Sequence, residues 1–129
     1  MNKSAELQQR TKSFALRVLK LIEHLPNSIG GRILANQLTR SGTSVGANYR
    51  AACRARSRAE FASKLGTVVE EADESLYWLE LIGDGNFVLA KKLASLISEA
   101  DELTAIFTAG RRTSSKNQTS NIKPQTSSS

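Results

Sequence analysis

The sequence predicts an all-α chain, an antiparallel up-down-up-down four-helix bundle with a disordered C-terminal tail. Three observations carry that reading. Four segments place apolar or small residues at alternating steps of four and three. No stretch sustains the period-two alternation of a half-buried strand. Only 8 Gly and 2 Pro punctuate the 129 residues, too few for a turn-rich sandwich or barrel.

The first segment carries Leu7, Thr11, Phe14, Val18, Leu21 and Leu25, and Pro26 cannot continue it. Asn27 or Ser28 is placed to cap the second, whose seam is Leu34, Leu38, Ser41, Val45, Asn48 and Ala52. Ser57-Arg58-Ala59-Glu60 has the form of a capping box, in which the Ser oxygen and the Glu carboxylate satisfy opposite amides at a helix start. The third seam follows as Phe61, Leu65, Val68, Ala72, Ser75, Leu79 and Ile82. Gly83-Asp84-Gly85 supplies a C-cap and a turn, and Asn86 a cap for the fourth segment, Leu89, Leu93, Leu96, Ala100, Leu103 and Phe107. The connections are short, so successive helices run antiparallel, and a heptad stripe favours the shallow left-handed crossings of a bundle.

Residues 1–110 therefore form the bundle. From Arg111 onward the composition changes: thirteen of the last 19 residues are Ser, Thr, Asn or Gln, and Ile122 is the only large apolar one. Residues 111–129 cannot bury enough surface to offset the entropy of ordering them, which predicts a disordered, weakly basic tail.

Composition narrows the chemistry. One Cys excludes an intramolecular disulfide framework and a thiolate zinc site, and one His excludes most His-built metal centres. Cys53 and His24 fall on different helices and make a poor nucleophile–base pair. The run Glu70, Glu71, Asp73, Glu74 lacks the Glu-x-x-His motifs of a di-iron bundle and reads as a surface face. No catalytic constellation, metal site or cofactor is expected. With no apolar run long enough to span a bilayer and no apolar leader in MNKSAELQQRTKS, the expected location is the cytoplasm.

Charge is sorted by helix. Residues 26–58 hold six bases (Arg32, Arg40, Arg50, Arg54, Arg56, Arg58) and no acid, whereas residues 59–86 hold seven acids against Lys64 alone. In a hairpin turning near Ser57, positions whose numbers sum to about 114 lie opposite each other. Arg40 then faces Asp73 and Glu74, and Arg54 faces Glu60, but Arg50 faces Lys64. Arg50, Arg54 and Arg58 also step by four along one face, with Arg56 beside them. Guanidinium pairs bidentately with phosphate oxygens, so this cluster is the candidate surface for nucleic acid or an acidic partner; a solvated face is the plainer alternative.

The second helix is polar and thin where a seam is usually apolar. Ser41 and Asn48 sit on it, Ser44 beside it, and Gly42 and Gly46 lie one turn apart. The three polar residues read as a hydrogen-bonded latch in the core, with Asn48 buried between helices and fixing register. Tyr77 and Trp78 are adjacent and cannot both enter one core, and Leu16, Leu19 and Leu81 lie off the seams. Apolar residues outside the seam imply a second buried face, most simply against another copy of the chain.

The run Gln37-Leu38-Thr39-Arg40-Ser41 with Ser44 and Asn48, then Arg54-Ala55-Arg56-Ser57, Glu60-Phe61 and Trp78-Leu79, resembles the small four-helix-bundle proteins encoded by intervening sequences in bacterial 23S ribosomal RNA genes. Their relatives include the accessory variability proteins of diversity-generating retroelements. The resemblance implies a bundle that assembles as a ring of five, and in the retroelement branch a basic surface that engages a reverse transcriptase and nucleic acid. Arg40, Ser41, Ser44, Asn48, Ser57 and Glu60 are the positions that match the motif. Where the family commonly continues with Ile-Ala-Glu-Gly, this chain has Tyr49-Arg50-Ala51-Ala52, an acid lost and a base gained. Helix 3 likewise has Glu70-Glu71-Ala72-Asp73-Glu74 in place of Gly-Ser-x-x-Glu. The expected function is a non-catalytic, oligomeric, basic helical scaffold that binds RNA or DNA, a nucleic-acid enzyme such as a reverse transcriptase, or both. A protein-binding adaptor without nucleic-acid contact is the alternative.

Overall fold

Side-chain caps set where the first three helices begin. In the computed structural model, which describes the backbone of residues 2–127 and the side chains of residues 2–115, Asn2 accepts a hydrogen bond from the Ala5 N–H and opens α1, Lys3–Ile22. Ser28 accepts from Gly31 N–H at 3.1 Å and opens α2, Ile29–Cys53, which settles the choice between Asn27 and Ser28. Ser57 accepts from Glu60 N–H at 3.1 Å and opens α3, Arg58–Asp84. The Glu60 carboxylate completes the cap one residue earlier than a standard box, accepting from the N–H of Arg56 at 3.1 Å. α4 is Ala90–Ser127.

The end of α3 departs from the expected arrangement. Asn86 does not start α4; it ends α3, with φ of 59° just after the C-cap Gly85. The N–H of Phe87 donates to the carbonyl of Ile82 and the N–H of Asn86 to that of Gly83, each at 3.0 Å, which is the Schellman pattern. Asn tolerates the left-handed region better than most residues. Gly85 is required for another reason: a Cβ there would stand 2.7 Å from the Phe87 ring.

Neighbouring helices pack as α1–α2, α2–α3 and α3–α4, with a sparser α1–α4 seam closing the bundle. The core holds Phe14, Val18, Leu38, Val45, Leu65, Val68, Leu79, Ile82, Leu93, Leu103 and Phe107 among others, drawn from every helix. From Leu65 to Ile82 every expected α3 seam position is buried, and Phe61 packs at the rim. Ahead of α4 the seam starts at Val88 rather than Leu89, which is 62% exposed. On α2 it passes through Tyr49 in place of Asn48.

The glycines of α2 let α1 come close. A Cβ at Gly42 would meet the Val18 methyls at 3.0 and 3.1 Å, and one at Gly46 would meet the Thr11 hydroxyl at 3.2 Å. The polar latch is smaller than expected. Ser41 and Ser75, both fully buried, share a hydrogen bond of 2.9 Å between α2 and α3. Ser44 donates to the Arg40 carbonyl and Asn48 to the Ser44 carbonyl, both within α2. Asn48 is half-buried and makes no inter-helix hydrogen bond, because the step from Val45 to Tyr49 is four rather than three and turns Asn48 toward the rim.

α4 passes Gly110 without a break, and Arg111 lies against α3, where a Cβ at Gly66 would meet its Nε at 3.1 Å. From Lys116 on, the expected tail falls outside the residues whose side chains are described, and Ser128 and Ser129 outside the described residues altogether.

Candidate nucleic-acid interface

The arginine cluster is built by a turn, not by one helix face. Arg50 closes the last turn of α2, which stops at Cys53. Arg54 is its C-cap, and two successive turn hydrogen bonds, Arg54 N–H to Ala51 and Ala55 N–H to Ala52, carry the chain out of the helix. Arg56 lies in the connection and Arg58 is the first residue of α3. The expected four-residue step through Arg58 thus fails, because the Ser57 cap starts a new helix between Arg54 and Arg58. The turn nevertheless gathers all four at one end of the bundle, and all four are exposed.

Their electrostatic state separates them from the rest of α2. Arg40 is ion-paired with Glu71 at 3.4 Å and with Glu74; Glu71 stands where Asp73 was expected. Among the described residues no carboxylate pairs with Arg50, Arg54, Arg56 or Arg58. The Arg54–Glu60 pair expected from the hairpin is not formed, since Glu60 is turned to the backbone N–H of Arg56. The negative end of α2 favours cations at Arg50 and Arg54, so their presence there costs the fold little.

Beneath the cluster lies a small polar cluster that the sequence did not announce. The Ser4 hydroxyl and the Cys53 sulfur are 3.1 Å apart, tying the start of α1 to the end of α2. The Tyr49 phenol beside them is pushed up to about 12, chiefly by burial, with its hydrogen bond to Cys53 adding and that to Ser4 opposing. Its ring packs 5.0 Å from that of Phe107. Tyr49 is therefore a core anchor and offers no stacking face beside Arg50. His24 stands past the end of α1, at the other end of the bundle from Cys53.

Two open depressions flank the turn. One, of about 580 Å³, is bordered by Ser4, Cys53, Arg56, Arg58, Phe61 and Ser114. The other, of about 590 Å³, runs between α1 and α2 over Gly46 and Ala47 and brings Lys12 alongside Arg50. Lys12 was not legible as part of the site, because only the α1–α2 pairing places it there. The resulting surface offers planar guanidinium donors and an ammonium beside two open depressions. Among the described residues no group of three or more His, Cys, Asp or Glu is placed to hold a metal ion, and no helix is long and apolar enough to cross a membrane.

The comparisons with known proteins agree with this architecture. No curated protein matches the chain. A solved structure from Bacteroides thetaiotaomicron VPI-5482, described as a protein of unknown function from the S23 ribosomal protein family, is similar at 33% identity and a TM-score of 0.73. The similarity covers 79% of this chain and 94% of that one. The model of the 23S rRNA-intervening sequence proteins matches residues 3–109, from the first residue of α1 into α4. On that match and that fold, the chain belongs to the 23S rRNA-intervening sequence protein family.

Proposed function

We propose that the protein is a non-catalytic, oligomeric, basic helical scaffold of the cytoplasm that binds nucleic acid through the α2–α3 turn. The observation that carries this reading is the contrast within one helix: Arg40 is neutralised by Glu71 and Glu74, while Arg50, Arg54, Arg56 and Arg58 are exposed and unpaired among the described residues. A net charge of +6 supports the same reading at long range. Tyr49 is buried, and Phe61, at the border of the depression beside Arg56 and Arg58, is packed against the core, so contact is to phosphate and tolerant of sequence. The retroelement relationship implied by the sequence adds a reverse transcriptase as a protein that would meet the same nucleic acid. In a ring of five the cluster repeats, and weak phosphate contacts act together through high effective concentration.

Titration of a labelled structured RNA and of a duplex DNA with the parent and with the Arg50→Gln, Arg54→Gln, Arg58→Gln variant tests this. Both nucleic acids should bind the parent at low salt, and the variant should bind each at least tenfold more weakly with its helical content unchanged. Absence of binding at low salt, or equal binding by the variant, replaces this reading with the adaptor.

A further inference from the structure

We infer that the cleft between the end of α1 and the start of α4 binds a phosphate group, held by Arg17, Lys20, His24 and Lys92. It lies at the end of the bundle away from the α2–α3 turn and does not rest on the nucleic-acid reading. Arg17 and Lys20 stand in the last turns of α1, and His24 follows its C-cap, Glu23. Lys92 stands in the first turn of α4. These four line an open cleft of about 330 Å³ whose floor is Leu21 and Leu96. Among the described residues no carboxylate lines it.

The charges along the α1–α4 seam are matched in one place and unmatched here. Arg10 is paired with Glu99 and Glu102. Two turns further along α1, Arg17 donates to the neutral Ser95 hydroxyl at 2.7 Å. Beyond it Lys20 shares the cleft with Lys92, and among the described residues neither has an ion-pair partner. Two acids lie close by. Glu23 borders the neighbouring depression with Arg17 and Lys20 and pairs with neither. Glu99 feels the charge of Arg17 but is bound through both oxygens by Arg10. The first turn of α4 adds to the imbalance: it carries Lys91 and Lys92 and no acid, where the helix dipole favours acids. Like charges set across a seam repel each other unless an anion stands between them. Phosphate suits these donors, since a guanidinium presents a planar fork to two of its oxygens and the ammonium groups supply point charges. The cleft is near the lower limit of small-molecule pockets, about 300 Å³, which suits a free phosphate or a small phosphate ester.

Calorimetric titration at constant ionic strength tests the site, with inorganic phosphate and glycerol phosphate as probes and chloride as the balancing anion. The parent is compared with a cleft variant, Lys20→Gln with Lys92→Gln, and with a control, Lys3→Gln with Arg32→Gln, that loses the same charge elsewhere. All four positions are exposed, so far-UV circular dichroism should be unchanged; should the cleft variant fail to fold, Lys92→Gln alone is read in its place. The parent should bind phosphate saturably and the control should match it. The cleft variant should bind at least about tenfold more weakly, as expected for two lost charge-assisted contacts. Phosphate should also raise the melting temperature of the parent more than that of the cleft variant, as a ligand of the folded state does. Tighter binding of glycerol phosphate identifies a phosphate ester as the ligand, and equal or weaker binding identifies free phosphate. Absence of saturable binding, equal affinity in the cleft variant, or equal weakening in the control overturns the site. RNA affinity of the cleft variant should fall no further than that of the control. A loss as large as that of the Arg50→Gln, Arg54→Gln, Arg58→Gln variant would make the cleft part of the nucleic-acid surface and overturn a separate site.

Discussion

A Cβ added at Gly31 would overlap the carbonyl oxygen of Pro26 and stand 3.1 Å from its ring. The carbonyl belongs to the α1–α2 turn and cannot rotate away without undoing the Ser28 cap, so the clash outweighs the gain of about 1 kcal/mol that Ala brings to a helix. Gly83, near the end of α3, meets only a flexible Leu93 methyl at 3.2 Å. Gly31→Ala should therefore lose about 2–4 kcal/mol in urea denaturation, whereas Gly83→Ala should be within about 1 kcal/mol of the parent. Both residues look alike in the sequence, as glycines near helix ends, and only the packing separates them. The same holds for the pair Ser41–Ser75: each serine falls on a seam by spacing, but their hydrogen bond depends on the α2–α3 register. Asn48 fell on the expected seam because a strict four-three alternation was carried through α2. The bulkier Tyr49 takes the core position instead, with its phenol beside Ser4 and Cys53.

Between elements, the α1–α4 seam has the sparsest packing and the best-formed ion pair. Arg10 donates two hydrogen bonds of 2.7 Å to the Glu99 carboxylate and lies 2.8 Å from Glu102. Those hydrogen bonds hold the Glu99 carboxyl below its ordinary value of 4.5, with burial opposing. A carboxyl that is more acidic folded than unfolded stabilises the fold fully above its ordinary range, and that contribution drains away as pH falls through it. Glu99→Gln should cost about 1 kcal/mol at pH 7, a modest figure because Arg10 is a third exposed and retains Glu102. The difference from the parent should shrink below about pH 4, as urea midpoints at both pH values will show. Helix spans and three of the caps were legible from periodicity and cap chemistry. The end of α2 was not, since no Gly or Pro lies between Cys53 and Arg58 to mark it, and the arginine step was read through a break. The Arg10–Glu99 pair spans 89 residues of sequence, beyond the reach of any local spacing.

At the scale of the whole molecule the bundle has two unlike ends. The α2–α3 turn carries the unpaired arginines, with Lys12 and Arg111 nearby. The opposite end, where the other two turns meet, exposes Ile29, Ile33 and Leu89. Gly30 and the Phe87 ring touch there, a Cβ at Gly30 lying 3.3 Å from the ring edge. Arg32, Lys91 and Lys92 also lie toward that end, so net charge and charge placement can be varied separately. The direct test is the dependence of RNA affinity on salt for three proteins: the parent, the Arg50→Gln, Arg54→Gln, Arg58→Gln variant, and a control with Arg32→Gln, Lys91→Gln and Lys92→Gln that loses the same charge. The slope of log affinity against log salt should fall by about 2–3 in the turn variant, as expected for three lost phosphate contacts, and by less than about 1 in the control. Equal losses in the two variants would mean that only net charge matters, and would contradict a nucleic-acid interface at the α2–α3 turn.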